Sequence, residues 1–298
     1  AMVRLAVRED LAETGDLTTL ALVPEGAVGS AAVVTRQWGV IAGLPGAEVA
    51  LEEIDARLRW LPAVEDGRSV GPGQQVARIE GPARGLLTAE RLVLNLLGRL
   101  SGIATLTRKY VDAVAGTKAR IFDTRKTTPG WRRLEKYAVR CGGAWNHRTG
   151  LFEAVLIKDN HLALGAEATA DAVARYTPAE AVIRARRYIE AHVPEPARSR
   201  TIIEVEVDTL AQLDEVLPAR PDIILLDNMS LGELREAVAR RDRAGAGVDL
   251  EASGGVSLET VRAMAESGVD CISVGALTHS AVCLDIGRDW LSEGRAGG

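Results

Sequence analysis

The chain has 298 residues, 36 Lys/Arg against 41 Asp/Glu, a formal net charge of −5, and 47% hydrophobic with 26% charged residues. Those values leave room for one large α/β domain or two smaller ones and argue against disordered, fibrous and general nucleic-acid-binding classes. Cys141, Cys271 and Cys283 form no CxxC and no even set, so free thiols in a reducing compartment are expected rather than a disulfide scaffold.

No apolar run approaches the ~18 residues of a membrane span, and the start lacks a signal-peptide core. Ala1 ahead of Met2 reads as a cloning leftover. The expectation is a cytoplasmic protein with no membrane and no nucleic-acid partner.

Residues 3–19 predict a short helix and a Gly-Asp turn, with Asp16, Thr18 and Thr19 in capping or turn roles. From 28 to 82, short apolar runs (31–34, 40–44, 56–61, 76–79) alternate with Gly/Pro punctuation, interrupted by a helical segment at 45–55. From Thr88, placed to cap, Leu92, Leu96, Leu100 and Ile103 recur at helical spacing. Gly98 and Gly102 each cost up to about 1 kcal/mol of helix propensity, which predicts a break near Ser101–Gly102. Arg91, off the apolar stripe, reads as a surface charge.

After Lys118 the rhythm changes to apolar strand, polar cluster, helix. ARIF runs into DTRK, AVLI into KDN, IIEVEV into D, IILL into DN, VDLEA into SGG and CISV into GA. Helices are expected at 168–192, 209–217, 230–243 and 257–267, with His192 in an exposed stretch. Strands alternating with helices imply parallel βαβ units covered on both faces. Six units predict a closed or nearly closed α/β barrel, a doubly wound sheet being the alternative. Barrel chemistry collects at the C-terminal strand ends, where Asp123 to Lys126, Lys158, Glu206, Asp227, Ser253 and Gly275 fall.

The window 118–161 carries ten Lys/Arg against four carboxylates, in a chain that is acidic overall. Several of these charges follow strands or sit on Gly/Thr/Pro-rich connections, where a scaffold presents side chains to a ligand. An anionic ligand rich in phosphate or carboxylate is expected. The turns after the last two strands, Ser253-Gly254-Gly255 and Val274-Gly275-Ala276, suit phosphate: glycine permits close backbone approach and the N–H groups favour an anion. Glu204 and Glu206, two apart on a strand, share a face. Glu206 with Asp227 is a candidate pair for a hard cation, Mg²⁺ rather than Ca²⁺, and a plain ion pair with Lys126 or Lys158 is the structural alternative. Arg125, Lys126, His147, Arg148 and Lys158 are candidate carboxylate clamps, and a strand-end lysine is also a candidate Schiff-base former.

The segments ERLVLNLLGRLSGIATLT (90–107), DTRKTTPG (123–130), KYAVRCGGAWNHR (136–148) and LIKDNH (156–161) resemble the quinolinate phosphoribosyltransferase family, also called nicotinate-nucleotide pyrophosphorylase (carboxylating). EVEVDTL (204–210), LLDN (225–228), SGGV (253–256), SVGALTHS (273–280) and the early GDLTT continue the resemblance over nearly the whole chain. It implies an α/β sandwich domain over 1–100, joined by 279–298, and an open α/β barrel over 101–278. It implies a homodimer in which Arg91 completes the neighbouring subunit's site. The implied reaction joins quinolinate to phosphoribosyl pyrophosphate with Mg²⁺, giving nicotinate mononucleotide, pyrophosphate and CO₂.

Carried onto this chain, Arg91, Arg125, His147, Arg148 and Lys158 would surround the pyridine dicarboxylate, with Thr124 a further substrate-binding residue. Lys126 would reach both substrates, and Glu206 and Asp227 would hold Mg²⁺ and ribose hydroxyls. Ser253, Gly254, Gly255, Val274, Gly275 and Ala276 would bind phosphate, with His279 nearby. Lys126, Lys158, Glu206 and Asp227 are the expected catalytic set, with no obligatory nucleophile.

One departure stands out: the family usually reads GGGxNHR, and this chain has GGAWNHR. Ala144 would strain the backbone if its φ were positive. Trp145 would either face outward or narrow the pyridine pocket, retuning it towards a related pyridine acid. Remaining alternatives are a molybdenum-locus relative of the same fold, a Schiff-base barrel aldolase using Lys126 or Lys158, and an inactive binding dimer.

Overall fold

A computed structural model describes residues 1–168 and 173–291. The described residues divide into two compact units, one built from 1–108, 127–144 and 277–291, the other from 109–126, 145–168 and 173–276. Residues 101–108 and 127–144 thus make their contacts with the first unit, although they lie inside the stretch read as barrel.

The first unit is a four-stranded antiparallel sheet in the order Ile286–Trp290, Val28–Thr35, Gln75–Pro82, Arg59–Pro62. Its apolar residues, among them Val33, Val76 and Ile79, pack with helix Leu44–Ile54 and with Leu86, Val93 and Leu97 of a long helix. Asp16 caps helix Leu17–Leu22, accepting from the Thr19 N–H at 3.0 Å.

That long helix, Ala83–Ala113, runs unbroken for 31 residues, and the expected break at Ser101–Gly102 is absent. A Cβ at Gly102 would sit 2.1 Å from the Val282 carbonyl oxygen, and one at Gly98 would sit 3.2 Å from that of Leu284. Close backbone approach, not termination, is what these glycines provide. Thr88 is not the cap either: it lies inside the helix, and its hydroxyl donates to Asp16 Oδ2 at 3.1 Å.

The second unit is an open α/β barrel: six parallel strands ordered Arg120–Phe122, Cys271–Ser273, Asp249–Ser253, Ile223–Asp227, Ile202–Val207, Ala154–Ile157. This is chain order wrapped round a circle, with the seam between the first and second strands. At that seam Trp145 forms an isolated parallel bridge with Phe122. The strand cores Val205, Ile224, Leu226 and Leu250 are fully buried, as helices on the outer face demand. Helices Leu210–Val216, Leu231–Arg243 and Val261–Glu266 stand where the periodicity placed them. The expected helix 168–192 is shorter, Pro178–His192, entered through Thr177 and Glu180 as a capping box. Part of that expectation, residues 169–172, lies outside the described residues.

Candidate active site

A cavity of about 650 Å³ opens at the C-terminal ends of the barrel strands. From the first strand it takes Thr124, Arg125 and Lys126; from the second, Lys158; from the third, Glu206; from the fourth, Asp227 and Asn228. The fifth supplies Glu251, Ser253, Gly254 and Gly255, the sixth Ser273, and the segment across the seam His147 and Arg148.

The seam segment is tied down by Asp123, which is fully buried. Its carboxylate accepts from Asn146 Nδ2 at 2.7 Å and from the His147 N–H at 2.8 Å. Trp145 N–H donates to Ile121 O at 2.8 Å, and Asp123 N–H donates to Trp145 O at 3.1 Å. The Asn-His-Arg run is therefore laid against the first strand like a short additional one, which brings His147 and Arg148 to the rim. Asp123 entered the sequence reading only as part of a charged cluster. Its structural task has no sequence signal beyond its place at a strand end.

Electrostatics divide the cavity in two. On one side stand Arg125 and Arg148. Burial and the neighbouring Arg125 guanidinium lower Arg148 from its ordinary value, and Glu204 opposes that shift. Two like charges held close are a cost that an incoming dianion relieves. On the other side Lys158 Nζ is ion-paired to Glu206, and Glu206, Asp208 and Asp227 bring carboxylate oxygens within 4.8 Å of one another. The expected ion pair and the expected acid cluster therefore coexist. Asp208 is the member the sequence reading missed, although it follows Glu206 at the same strand end.

Ser253 to Gly255 and Asn228 face each other across adjacent strands. Asn228 N–H donates to Ser253 O at 2.9 Å, and Asn228 Nδ2 donates to Asp227 Oδ2 at 2.7 Å. Gly254 has φ +91°, and a Cβ there would lie 2.1 Å from Asn228 Oδ1. No other residue fits that turn, which leaves its backbone open to a ligand.

The last turn differs from expectation. Val274 is buried, and its N–H donates to Phe122 O at 2.9 Å, so that N–H is already engaged within the barrel. Gly275 and Ala276 follow it at the start of helix Ala276–His279 and are not among the cavity residues. His279 and Arg91 belong to the first unit, where His279 Nδ1 lies 2.7 Å from Ser280 Oγ and Arg91 is exposed on the long helix.

Beneath the rim lies a feature the sequence reading did not anticipate. Glu204, Glu251 and His147 have ligating atoms within 4.8 Å of one another, and both glutamates are 1% exposed. His147 Nε2 is 2.9 Å from Glu204 Oε2 and 3.8 Å from Glu251 Oε2. Arg148 N–H donates to His147 Nδ1 at 2.8 Å, and Ser273 Oγ donates to Glu251 Oε1. Burial, with Glu204 next, pushes the Glu251 carboxyl up to about 8. An acid set between Leu250 and Ala252, two residues before Ser253 and so on the same face, was the available signal.

The GGAW departure is settled by backbone and packing. Gly143 carries the positive φ of 97°, whereas Ala144 is buried with an ordinary backbone. Trp145 is not among the cavity residues: its ring lies 6.5 Å from that of Phe122, and the Arg120 guanidinium stacks over both.

The quinolinate phosphoribosyl transferase C-terminal domain matches residues 103–289 and the N-terminal domain of the same enzyme matches residues 16–101. The chain is 48% identical over 289 residues to a nicotinate-nucleotide pyrophosphorylase [carboxylating] of Mycobacterium leprae, covering 96% of this chain and 95% of that one. It is 40% identical over 276 residues to a probable enzyme of the same name from Bacillus subtilis, covering 93% and 88%. The solved nicotinate-nucleotide pyrophosphorylase of Francisella tularensis superposes with a TM-score of 0.84 at 35% identity, covering 97% of this chain and 95% of that one.

Proposed function

The chain belongs to the quinolinate phosphoribosyltransferase family, and on that premise we propose that it joins quinolinate to phosphoribosyl pyrophosphate, releasing pyrophosphate and CO₂ and forming nicotinate mononucleotide. The observation that carries the reading is a single cavity with a guanidinium pair on one side and a carboxylate cluster with a glycine turn on the other. A pyridine dicarboxylate suits the first, and a sugar phosphate suits the second.

In this reading Arg125 and Arg148 bind the pyridine carboxylates, with Lys126 between the two substrates and Lys158 on the acid side. Thr124 holds the turn, its hydroxyl accepting from the Lys126 N–H at 3.0 Å. Glu206 and Asp227 bind ribose hydroxyls, and Ser253 to Gly255 take the phosphate. The ring nitrogen attacks the anomeric carbon while the carbon–oxygen bond to pyrophosphate breaks, its electron pair leaving with pyrophosphate. The quaternised nitrogen then accepts the electron density of the adjacent carbon–carboxylate bond, CO₂ departs, and the ring carbon takes up a proton. The protein's share is orientation and preorganised positive charge, so no side chain acts as a nucleophile.

The oxygen-only set of Glu206, Asp208 and Asp227 fits Mg²⁺, a hard cation that takes carboxylate oxygens and substrate phosphates. Mg²⁺ held there would neutralise charge on the departing pyrophosphate. Arg91, exposed and unpaired among the described residues, is available to complete a neighbouring subunit's site in a homodimer. Three free cysteines suit a cytoplasmic enzyme, and no helix among the described residues is long and apolar enough to cross a membrane.

A Schiff-base aldolase needs a lysine amine free to attack a carbonyl, whereas Lys158 Nζ is engaged by Glu206. The decisive test is mass-spectrometric product analysis with quinolinate, phosphoribosyl pyrophosphate and Mg²⁺. Nicotinate mononucleotide and CO₂ are expected, and a borohydride-trapped lysine adduct would sink the reading.

A further inference from the structure

The buried trio under the rim sets two carboxylates against one imidazole. His147 Nδ1 accepts the Arg148 N–H at 2.8 Å, and its Nε2 lies 2.9 Å from Glu204 Oε2 but 3.8 Å from Glu251 Oε2. The one imidazole is thus spent on Glu204, and Glu251 lies beyond its hydrogen-bond reach. Among the described residues the hydrogen-bond partners of their carboxylates are His147 and Ser273, and no guanidinium or ammonium bonds to either. Arg148 reaches Glu204, and Lys158 reaches Glu251, only through longer-range attraction. Two ionised carboxylates buried side by side in such surroundings are unstable unless one holds a proton. Glu204 Oε2 pairs with His147 Nε2, so Glu251 is the member left to carry it. Glu204 Oε1, buried and without a hydrogen-bond partner, leaves an acceptor open in the same cluster.

We propose that Glu251 stands protonated beneath the cavity, keeping one negative charge out of the buried floor, and that its ionisation weakens the site's grip on the pyridine dicarboxylate. The proposal rests on the quinolinate reading above. Glu251 touches no substrate in this scheme: it sets the charge under the Arg125–Arg148 pair, and a second negative charge there would offset the attraction those guanidiniums exert. Burial and the neighbouring Glu204 both favour the protonated form, and His147, the Ser273 hydroxyl and Lys158 favour the ionised one. Cys271, on the neighbouring strand, is itself pushed up to about 12 and remains a thiol through the same range.

The experiment is the pH dependence of the quinolinate KM between about pH 6.5 and 9.5, at saturating phosphoribosyl pyrophosphate and Mg²⁺, for the unaltered enzyme and two variants. The unaltered enzyme should show KM rising about tenfold through the Glu251 transition, with kcat changing little. Glu251→Gln, which cannot ionise, should lose that rise relative to its own value at the acidic end. Ser273→Ala should move the transition to higher pH, because the hydroxyl favours the ionised carboxylate. A KM that stays flat in the unaltered enzyme, or a rise that persists unchanged in Glu251→Gln, overturns the proposal while leaving the reaction assignment intact. Difference infrared spectroscopy of the ligand-free protein decides independently of turnover. A protonated-carboxyl band at neutral pH should be present in the unaltered chain and missing from Glu251→Gln, and identical spectra refute the proposal. Absence of any nicotinate mononucleotide would count against the reaction, and the infrared comparison would still judge Glu251.

Discussion

Two places in this molecule bury acids, and they do so in opposite ways. In the first unit Glu135 is fully buried and fully matched. It accepts from Arg99 Nη2 at 2.7 Å, from the Thr128 N–H at 3.0 Å and from the Thr128 hydroxyl at 2.9 Å. Arg99 also donates to the carbonyl oxygens of Ala281 and Thr278. In the barrel, Glu204 and Glu251 share one imidazole and one hydroxyl, and one carboxylate oxygen has no partner. The difference separates structure from function. A buried charge with a donor on each carboxylate oxygen ties chain segments together, whereas an under-matched pair in a ligand cavity holds a proton that its surroundings can shift.

The comparison can be broken at several points. The largest effect is expected at the rim: Lys126→Ala and Glu206→Ala should each lower kcat/KM by at least about 10³-fold with an unchanged unfolding midpoint. Near-normal turnover in either would undo the barrel half of the contrast. Glu135→Ala should instead act on stability, leaving the half-buried Arg99 without its anion and costing about 3 kcal/mol in urea unfolding. A cost under about 1 kcal/mol would mean the matched network does not hold the first unit together.

Gly254→Ala probes the backbone turn between the two halves of the cavity. Its φ of +91° and the clash with Asn228 should raise the KM for phosphoribosyl pyrophosphate by about tenfold or more, with a smaller change in that for quinolinate. Equal effects on both substrates would argue that the turn serves the fold rather than the phosphate.

Glu251 also sharpens the contrast through stability. Its folded-state value, raised to about 8, lies above the ordinary carboxylate range, so the folded protein holds a proton that the unfolded chain releases. Stability from this group is fully present below the ordinary carboxylate range and is lost as pH rises through about 8. Thermal unfolding should therefore fall by a few degrees from mildly acidic to basic pH, and Glu251→Gln should flatten that slope. An identical slope in the variant would place the proton elsewhere. The smallest effect is expected from Trp145→Phe, which alters the stack on Phe122 and Arg120 outside the cavity. The ratio of kcat/KM for quinolinate over other pyridine carboxylates should hold, and a changed ratio would revive the retuned-pocket alternative.

Strand and helix alternation, the apolar strand cores and the strand-end polar clusters are legible in the chain itself, because period and punctuation are local properties. So are the residues that line the cavity from Thr124 to Lys126, at Lys158, Glu206 and Asp227, and from Ser253 to Gly255. The open barrel follows from counting its units. Other features needed the folded molecule, since each depends on what a residue meets across space. Gly98 and Gly102 look like breaks until the 282–284 backbone is laid on them. Val274 looks like part of a phosphate turn until its N–H is seen bonded to Phe122. Asp123 becomes an anchor only with Asn146 and His147 beside it. The Glu204–Glu251 pair exists only because register sets two strands' acids against one imidazole, and burial removes the water that would otherwise keep both charged.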